Sequence, residues 1–319
     1  MTETTYLRKV IRISAHDSPN VRTQRQILPG VLSWDEFNHR LLTWDEQRRT
    51  VGLDGMFYEG ASVMMYPSDW LSHSERIADT RGSSRGGMIL DDRWIGCDPA
   101  EGGDRSAWCV GDRVGLLDLV SILTPDTTVV TSTTYRLMNE WGVMAKNVCF
   151  DRGGGGKSHA DRMRQDGYPV RTVAFGESVI PPLNRRGGIK VLEERVEERE
   201  ERTIYKNRRA EMYGQLMNLM DPSQGGYGLP SRLINRLMPG RLTLREQMAL
   251  IPKLYDAEGR MFLLPKSKPR TSLSNDGHVT GQDTLMGLIG HSPDEMDALV
   301  VMVHCMTTKA TNAMTVGVS

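Results

Sequence analysis

Cysteine is scarce. The four in 319 residues, Cys97, Cys109, Cys149 and Cys305, stand far apart and form no C-x-x-C pair. A disulfide framework and a zinc site are both disfavoured, and a reducing cytosol is the natural home. Long apolar runs are missing too: none approaches the roughly 20 residues that cross a bilayer. The opening MTETTYLRKV lacks the apolar stretch of a secretory signal. Aromatic residues make up only 6%, and hydrophobic residues 39%, which reads as a somewhat polar soluble protein. An excess of either charge is also absent, since 40 Lys plus Arg balance 40 Asp plus Glu. That balance excludes a histone-like coat but not a local basic groove. No internal repeat is evident, and the length suits about two domains.

What is present falls into three stretches. Residues 1 to about 78 mix short apolar runs with turns, including HDSPNV (16–21) and ILPGVLSWDEF (27–37). Residues 79–87, DTRGSSRGG, have the composition of a linker. From Met88 onward apolar runs alternate with polar helices. The chain is therefore divided into an N-terminal segment (1–87), a domain (88–310) and a tail (311–319). Within the domain, strands are expected at Trp94 to Cys97, Ala107 to Val110, Val114 to Val120, Val148 to Phe150 and Val170 to Phe175. Gly111-Asp112-Arg113 reads as a hairpin turn. Helices are expected over 127–142, 158–166, about 191–220 and 294–307, the last opened by Ser292-Pro293 with acids in its first turn. Three strands joined by hairpins, then helix, strand, helix, strand and helix, describe an α/β ribonuclease H-like fold: a mixed five-stranded sheet flanked by helices. In that fold the ends of the first and fourth strands lie side by side.

Asp98 and Asp151 end those two strands. An Asp directly after a buried strand points into the crevice where ligands bind in such sheets. Taken alone, each reads equally as a turn or cap residue. Asp104 follows Asp98 across a Gly-rich turn that either folds it back beside Asp98 or is merely stabilised by it. Asp151 precedes Arg152 and four glycines, which leave the backbone free to approach another body. Asp294 and Asp297 share one face of the last helix, where two like charges repel unless a cation stands between them. Hard divalent cations, Mg²⁺ or Mn²⁺, take such oxygen ligands, and two ions are the arrangement these acids suggest. Lys157 and His159 lie close enough in sequence to touch a phosphate, or are solvated helix-start residues. Gly153-Gly-Gly-Gly-Lys157-Ser158 imitates the end of a Walker A loop, but position 151 is Asp where that pattern needs Gly.

The segments IGCDPAEGGDRSAWCV (95–110), VCFDRGGGGKSHADRMRQDGYPVRTVAFGES (148–178) and GHSPDEMDALVV (290–301) resemble the nuclease domain of the large terminase subunit of tailed bacteriophages. Residues 189–220, with N-x-R-A-E-M-Y, are similar to the helical region of that domain. ISAHDSPNV, IL-PG and GLDGMFYEG (52–60) resemble the end of the family's ATPase domain and its linker. The resemblance implies a metal-dependent endonuclease that cuts concatemeric viral DNA during packaging by two-metal phosphodiester hydrolysis. It assigns Asp98, Asp151 and Asp294 as catalytic metal ligands, with Asp104 and Asp297 as further acids of the metal centre. The D-x-x-D-A-L spacing also resembles Holliday-junction resolvases, in which both acids serve the metal. Implied partners are double-stranded DNA, a portal protein, a small terminase subunit and a packaging ATPase, with no membrane; the implied location is the host cytoplasm. Neither Walker motif of the packaging ATPase occurs in this chain, so the resemblance places that activity in a separate polypeptide or a missing domain.

Candidate DNA contacts are Arg185, Arg186 and Lys190, then Lys206, Arg208 and Arg209, then Lys266, Lys268 and Arg270, which precede a Gly-rich polar segment (271–290) read as a flexible flap. EERVEEREER mixes both signs and reads as a solvated helix face. Two alternatives stay open: a junction-specific resolvase-like nuclease, and a non-catalytic packaging-assembly module with structural acids.

Overall fold

The structure is a computed structural model that describes residues 12–44, 49–50, 52–56, 64–81, 92–100, 102, 104–123, 128–179, 204–256, 259–267, 270–273, 279–282 and 284–308. The chain divides into two compact units, Met1–Val63 with Tyr255–Gly259, and Met64–Leu254 with Arg260–Ser319. The first contains helices α1 (Pro19–Thr23) and α2 (Trp34–Thr43) around Val21, Phe37 and Leu53. Its HDSPNV sequence has a structural use. The buried Asn20 amide donates to the carbonyls of Leu28, Val31 and Leu32, and its oxygen accepts from the amides of Ile27 and Leu28. One side chain thus satisfies the polar backbone of the following loop.

The second unit opens with α3 (Ser68–Arg81), so the helix takes in the first three residues of the expected linker; residues 82–91 lie outside the described residues. The sheet has strands β1 (Arg93–Asp98), β2 (Arg105–Asp112), β3 (Leu116–Leu123), β4 (Val148–Asp151) and β5 (Arg171–Val173) in the order β3-β2-β1-β4-β5. β1 and β2, and β2 and β3, are antiparallel, while β1–β4 and β4–β5 are parallel. Helices α4 (Thr128–Trp141) and α5 (Gly156–Gln165) follow β3 and β4. They share a core with Ile95, Cys97, Trp108, Val110, Val148 and Phe150. Side chains alternate along a strand. Gly96, Asp98, Cys149 and Asp151 must therefore face the other side of the sheet.

That other side is covered by the final helix, α10 (Asp294–Thr307), buried from Asp294 to Cys305. Between β5 and α10 lie α6 (Arg208–Met220), α7 (Ser231–Ile234), α8 (Leu244–Ala249), the paired strands β6 (Arg270–Leu273) and β7 (Val279–Gln282), and α9 (Leu285–Ile289). Two sequence expectations need correction. The helix expected over about 191–220 is not continuous: residues 204–207 are not helical, and α6 starts at Arg208, where the Asn207 side chain caps the Ala210 amide. Upstream, the backbone of Ile204 and Lys206 bonds to Met261 instead, and 191–203 lie outside the described residues. The flap expected over 271–290 contains an antiparallel pair, Arg270↔Gln282 to Leu273↔Val279, followed by α9.

α10 lies close enough to β1 that glycine is required between them. A Cβ on Gly96 would stand 2.2 Å from the Met302 nitrogen and 2.3 Å from the Ala298 oxygen. Both are backbone atoms and cannot swing aside. Gly96→Ala is expected to destabilise the protein by about 3 kcal/mol, the upper end of ordinary overpacking. Urea unfolding checks it; a midpoint within experimental error of the native one would refute the close approach.

Candidate metal and nuclease site

Asp98 and Asp151 end parallel neighbouring strands, one residue beyond the Cys97↔Phe150 pair. Both face α10 and are nearly buried, at 6% and 7% exposure. The glycines after Asp151 hold the two strand ends together. Gly154 has φ +53°, and a Cβ there would stand 2.1 Å from the Pro99 carbonyl oxygen. From above, the first turn of α10 brings Asp294 and Asp297, both buried. The Arg105 amide at the start of β2 reaches Asp294 at 3.4 Å.

Three cations from distant segments meet these acids. Lys266 Nζ stands 2.8 Å from Asp297, 3.5 Å from Asp98 and 3.9 Å from Asp294. Arg241 donates to Asp294 at 2.9 Å, to Glu295 at 3.1 Å and to the Ser292 carbonyl at 2.6 Å. Arg209 donates to both oxygens of Asp297, which also accepts the Tyr213 hydroxyl at 2.6 Å. The buried Glu295 is satisfied separately by Ser121, Gln247 and Arg241. The sequence argument expected a cation between Asp294 and Asp297, and the chain's own side chains place positive charge on both acids.

Burial dominates the protonation of three acids. It pushes Asp98 well above the usual carboxylate range, with Lys266 opposing and the three other aspartates adding to the rise. Burial raises Asp151 to about 6, reinforced by Asp297 and opposed by amide bonds from Gly153 and Arg152 and by Lys266. It raises Asp294 to about 6 against the Ser292 hydroxyl, Lys266 and Arg241. Burial would raise Asp297 too, but the Arg209 and Lys266 charges outweigh it and hold that acid below its ordinary value.

Asp151 and Asp294 therefore bind protons more tightly folded than unfolded. The stability this confers is full below about pH 4 and is lost as pH rises through about 6. In EDTA the melting temperature is expected to fall between about pH 5 and pH 7. A divalent cation such as Mn²⁺ would bind the carboxylates only when deprotonated, so any stabilisation by it should grow over the same interval. A melting temperature in EDTA that climbs across that interval would refute this account of the acids.

Among the described residues, no group of three or more carboxylates, imidazoles or thiols stands ready to hold a metal ion. The donor set nevertheless fits a hard divalent cation. It is all carboxylate oxygen, it is buried, and an ammonium already stands among Asp98, Asp294 and Asp297 as a stand-in positive charge.

The remaining expected site residues are dispersed. Asp104 is exposed in the turn before β2, its amide bonded to the Gly102 carbonyl. Lys157 pairs with Asp161 on the surface at 2.7 Å, and His159 is buried in α5. Lys266, expected on a phosphate-binding face, turns into the acids. Arg209, expected likewise, is buried against Asp297; Arg208 pairs with Glu211, and Lys206 lies over the Phe262 ring. Arg185, Arg186, Lys190, Lys268 and the side chain of Arg270 lie outside the described residues. The sequence reading missed Arg241, Tyr213 and Glu295. Only Glu295, between two candidate acids, carried a local signal.

The nuclease domain of the large terminase subunit gp2 of bacterial virus Sf6 superposes with a TM-score of 0.53 at 16% identity, over 77% of this chain and 100% of that one. The fold is that of the terminase nuclease domains. A point mutant of the same Sf6 domain, described with manganese and beta-thujaplicinol, matches at 0.49 and 16% identity, over 77% of this chain and 100% of that one. The large terminase nuclease of a thermophilic phage, described with bound magnesium, matches at 0.36 and 14%, over 68% and 85%. No protein-family model and no curated protein matches the chain. Among the described residues, no helix is long and apolar enough to cross a membrane.

Proposed function

We propose that this chain is a metal-dependent DNA endonuclease of the terminase type, cutting concatemeric viral DNA during genome packaging. The observation that carries the reading is that the Lys266 ammonium turns inward between Asp98 and Asp294, with Asp151 ending the strand parallel to that of Asp98. These three acids would hold two Mg²⁺ or Mn²⁺ ions. When bound, such ions supply Lewis acidity, an activated water and stabilisation of the leaving oxygen. The chain's own residues prepare that chemistry. Arg241 fixes Asp294, the Gly153–Gly156 loop fixes Asp151 beside Pro99, and burial raises the affinity of Asp98, Asp151 and Asp294 for positive charge. Asp104, on the exposed turn just before the Arg105 amide that reaches Asp294, is proposed as a further acid of the centre. Lys268, Arg270, Arg185 and Arg186 are proposed to bind the DNA backbone without reading sequence. The proposed partners are double-stranded DNA, a portal protein, a small terminase subunit and a packaging ATPase, met in the host cytoplasm.

The test is cleavage of supercoiled plasmid by the purified chain with Mg²⁺, Mn²⁺ or EDTA. Nicking or linearisation with either metal, and none in EDTA, is the expected result. A four-way junction cut more than about tenfold faster than plasmid would move the substrate class to a resolvase, a difference of about 1.4 kcal/mol in barrier. Absence of both cleavage and Mn²⁺ binding would overturn the reading.

A further inference from the structure

The geometry points to Asp297 as a positioning residue that anchors Lys266, and not as a ligand of the metal ions. This inference rests on the metal-dependent reading above. A carboxylate offers about four lone-pair positions to donors. In Asp297 all four are taken by the protein. Oδ1 accepts the Tyr213 hydroxyl at 2.6 Å and Arg209 at 3.1 Å, while Oδ2 accepts Lys266 at 2.8 Å and Arg209 at 3.3 Å. The side chain is completely buried. Arg209 is itself held in place, its guanidinium 5.4 Å from the Phe175 ring and 5.5 Å from that of Tyr213. The Tyr213 carbonyl accepts the Tyr66 hydroxyl at 2.9 Å, which ties this turn of α6 to residues before the sheet. To ligate an ion, Asp297 would have to give up a donor and leave a buried guanidinium, phenol or ammonium short of its partner, a costly exchange.

Asp98 and Asp294 differ. The nearest Lys266 distances to them are 3.5 and 3.9 Å, so the ammonium leans on Asp297 and only approaches the other two. Asp297 therefore sets where the lysine stands. With that anchor intact, Asp98 and Asp294 keep lone pairs available for a metal. Without it, the ammonium shifts onto them and competes with the ions.

Mn²⁺ titration calorimetry on the full chain and on Asp297→Asn, Lys266→Met and the double variant tests this as a double-mutant cycle. Asp297→Asn is expected to weaken Mn²⁺ binding at least about tenfold with Lys266 present, but less than about threefold in the Lys266→Met background, because the substitution acts through the lysine. The number of ions bound should not change. Loss of one ion in Asp297→Asn, or an equal weakening in both backgrounds, would overturn the inference while leaving the metal site standing. A native chain that binds no Mn²⁺ would overturn the metal reading and this inference together. Should Asp297→Asn fail to fold, a crystal structure of the native chain with Mn²⁺ decides the matter. Both Asp297 oxygens are expected beyond about 3 Å from every ion, outside the roughly 2.0–2.6 Å of oxygen ligands to hard divalent cations. An Asp297 oxygen within that range would overturn the inference.

Discussion

Asp151→Asn is expected to lower metal-dependent cleavage at least about 10³-fold, about 4 kcal/mol of barrier, and at the same time to raise the melting temperature. The two effects share one cause. At neutral pH the fold holds Asp151 ionised at 7% exposure, although burial has moved its protonation to about 6. Keeping that charge costs about 2 kcal/mol, at roughly 1.4 kcal/mol for each unit of pKa and with some residual solvation allowed for. Asn removes the charge and retains an oxygen to accept the Arg152 and Gly153 amides. The gain should appear as a rise of about 5 °C in a unit of this size. What disappears is the charged oxygen pair that a divalent cation needs. Cleavage assays and thermal melts on one preparation test both halves. Intact cleavage would remove Asp151 from the site, and lost cleavage with a lower melting temperature would mark a folding defect instead.

Much of this site was legible because it depends on local rules. Apolar runs cut off by Asp98-Pro99 and by Asp151 marked two strand ends, and the Ser292-Pro293 start placed α10 at Asp294–Thr307. Strand periodicity then puts both acids on the face that α10 covers. The surroundings of Asp294 and Asp297 were not legible. Two acids three residues apart implied a missing cation, but nothing local indicated that Arg209, 88 residues earlier in the chain, would supply it. Lysines and arginines near polar segments read as phosphate contacts because composition says nothing about which way a side chain turns. Lys266 and Arg209 both turn inward. The single helix expected over about 191–220 is interrupted for a related reason: charge pattern favoured continuation, while the bonds of Ile204 and Lys206 with Met261 and the Asn207 cap break it just before Arg208. The hairpin of β6 and β7 was hidden by a Gly-rich, polar composition that suits a mobile loop equally well.

Lys266→Met should have opposite effects on the metal-free and metal-loaded protein. Among the described residues, Lys266 forms the only ion pair of Asp98, while Asp294 retains Arg241 and Asp297 retains Arg209. Removing one partner of a fully buried pair costs about 3–5 kcal/mol. The Lys266 side chain is 36% exposed, so water softens the loss to about 1–2 kcal/mol. In EDTA the melting temperature should accordingly fall by about 3–6 °C. In Mn²⁺ the balance reverses, because the carboxylates keep their charge and no ammonium 3.5 Å from Asp98 and 3.9 Å from Asp294 repels an incoming ion. Mn²⁺ affinity should rise about tenfold, which adds about 1.4 kcal/mol to the stabilisation at any saturating concentration. Lys266→Arg separates charge from shape. A guanidinium restores the positive charge, so metal-free stability should recover in part, but affinity should not exceed that of the native chain. The sign of the difference between EDTA and Mn²⁺ melts is the decisive quantity. If Lys266→Met melts like the native protein in EDTA and gains no more from Mn²⁺ than the native protein does, the ammonium is not standing in for an ion, and the acids must be neutralised in some other way.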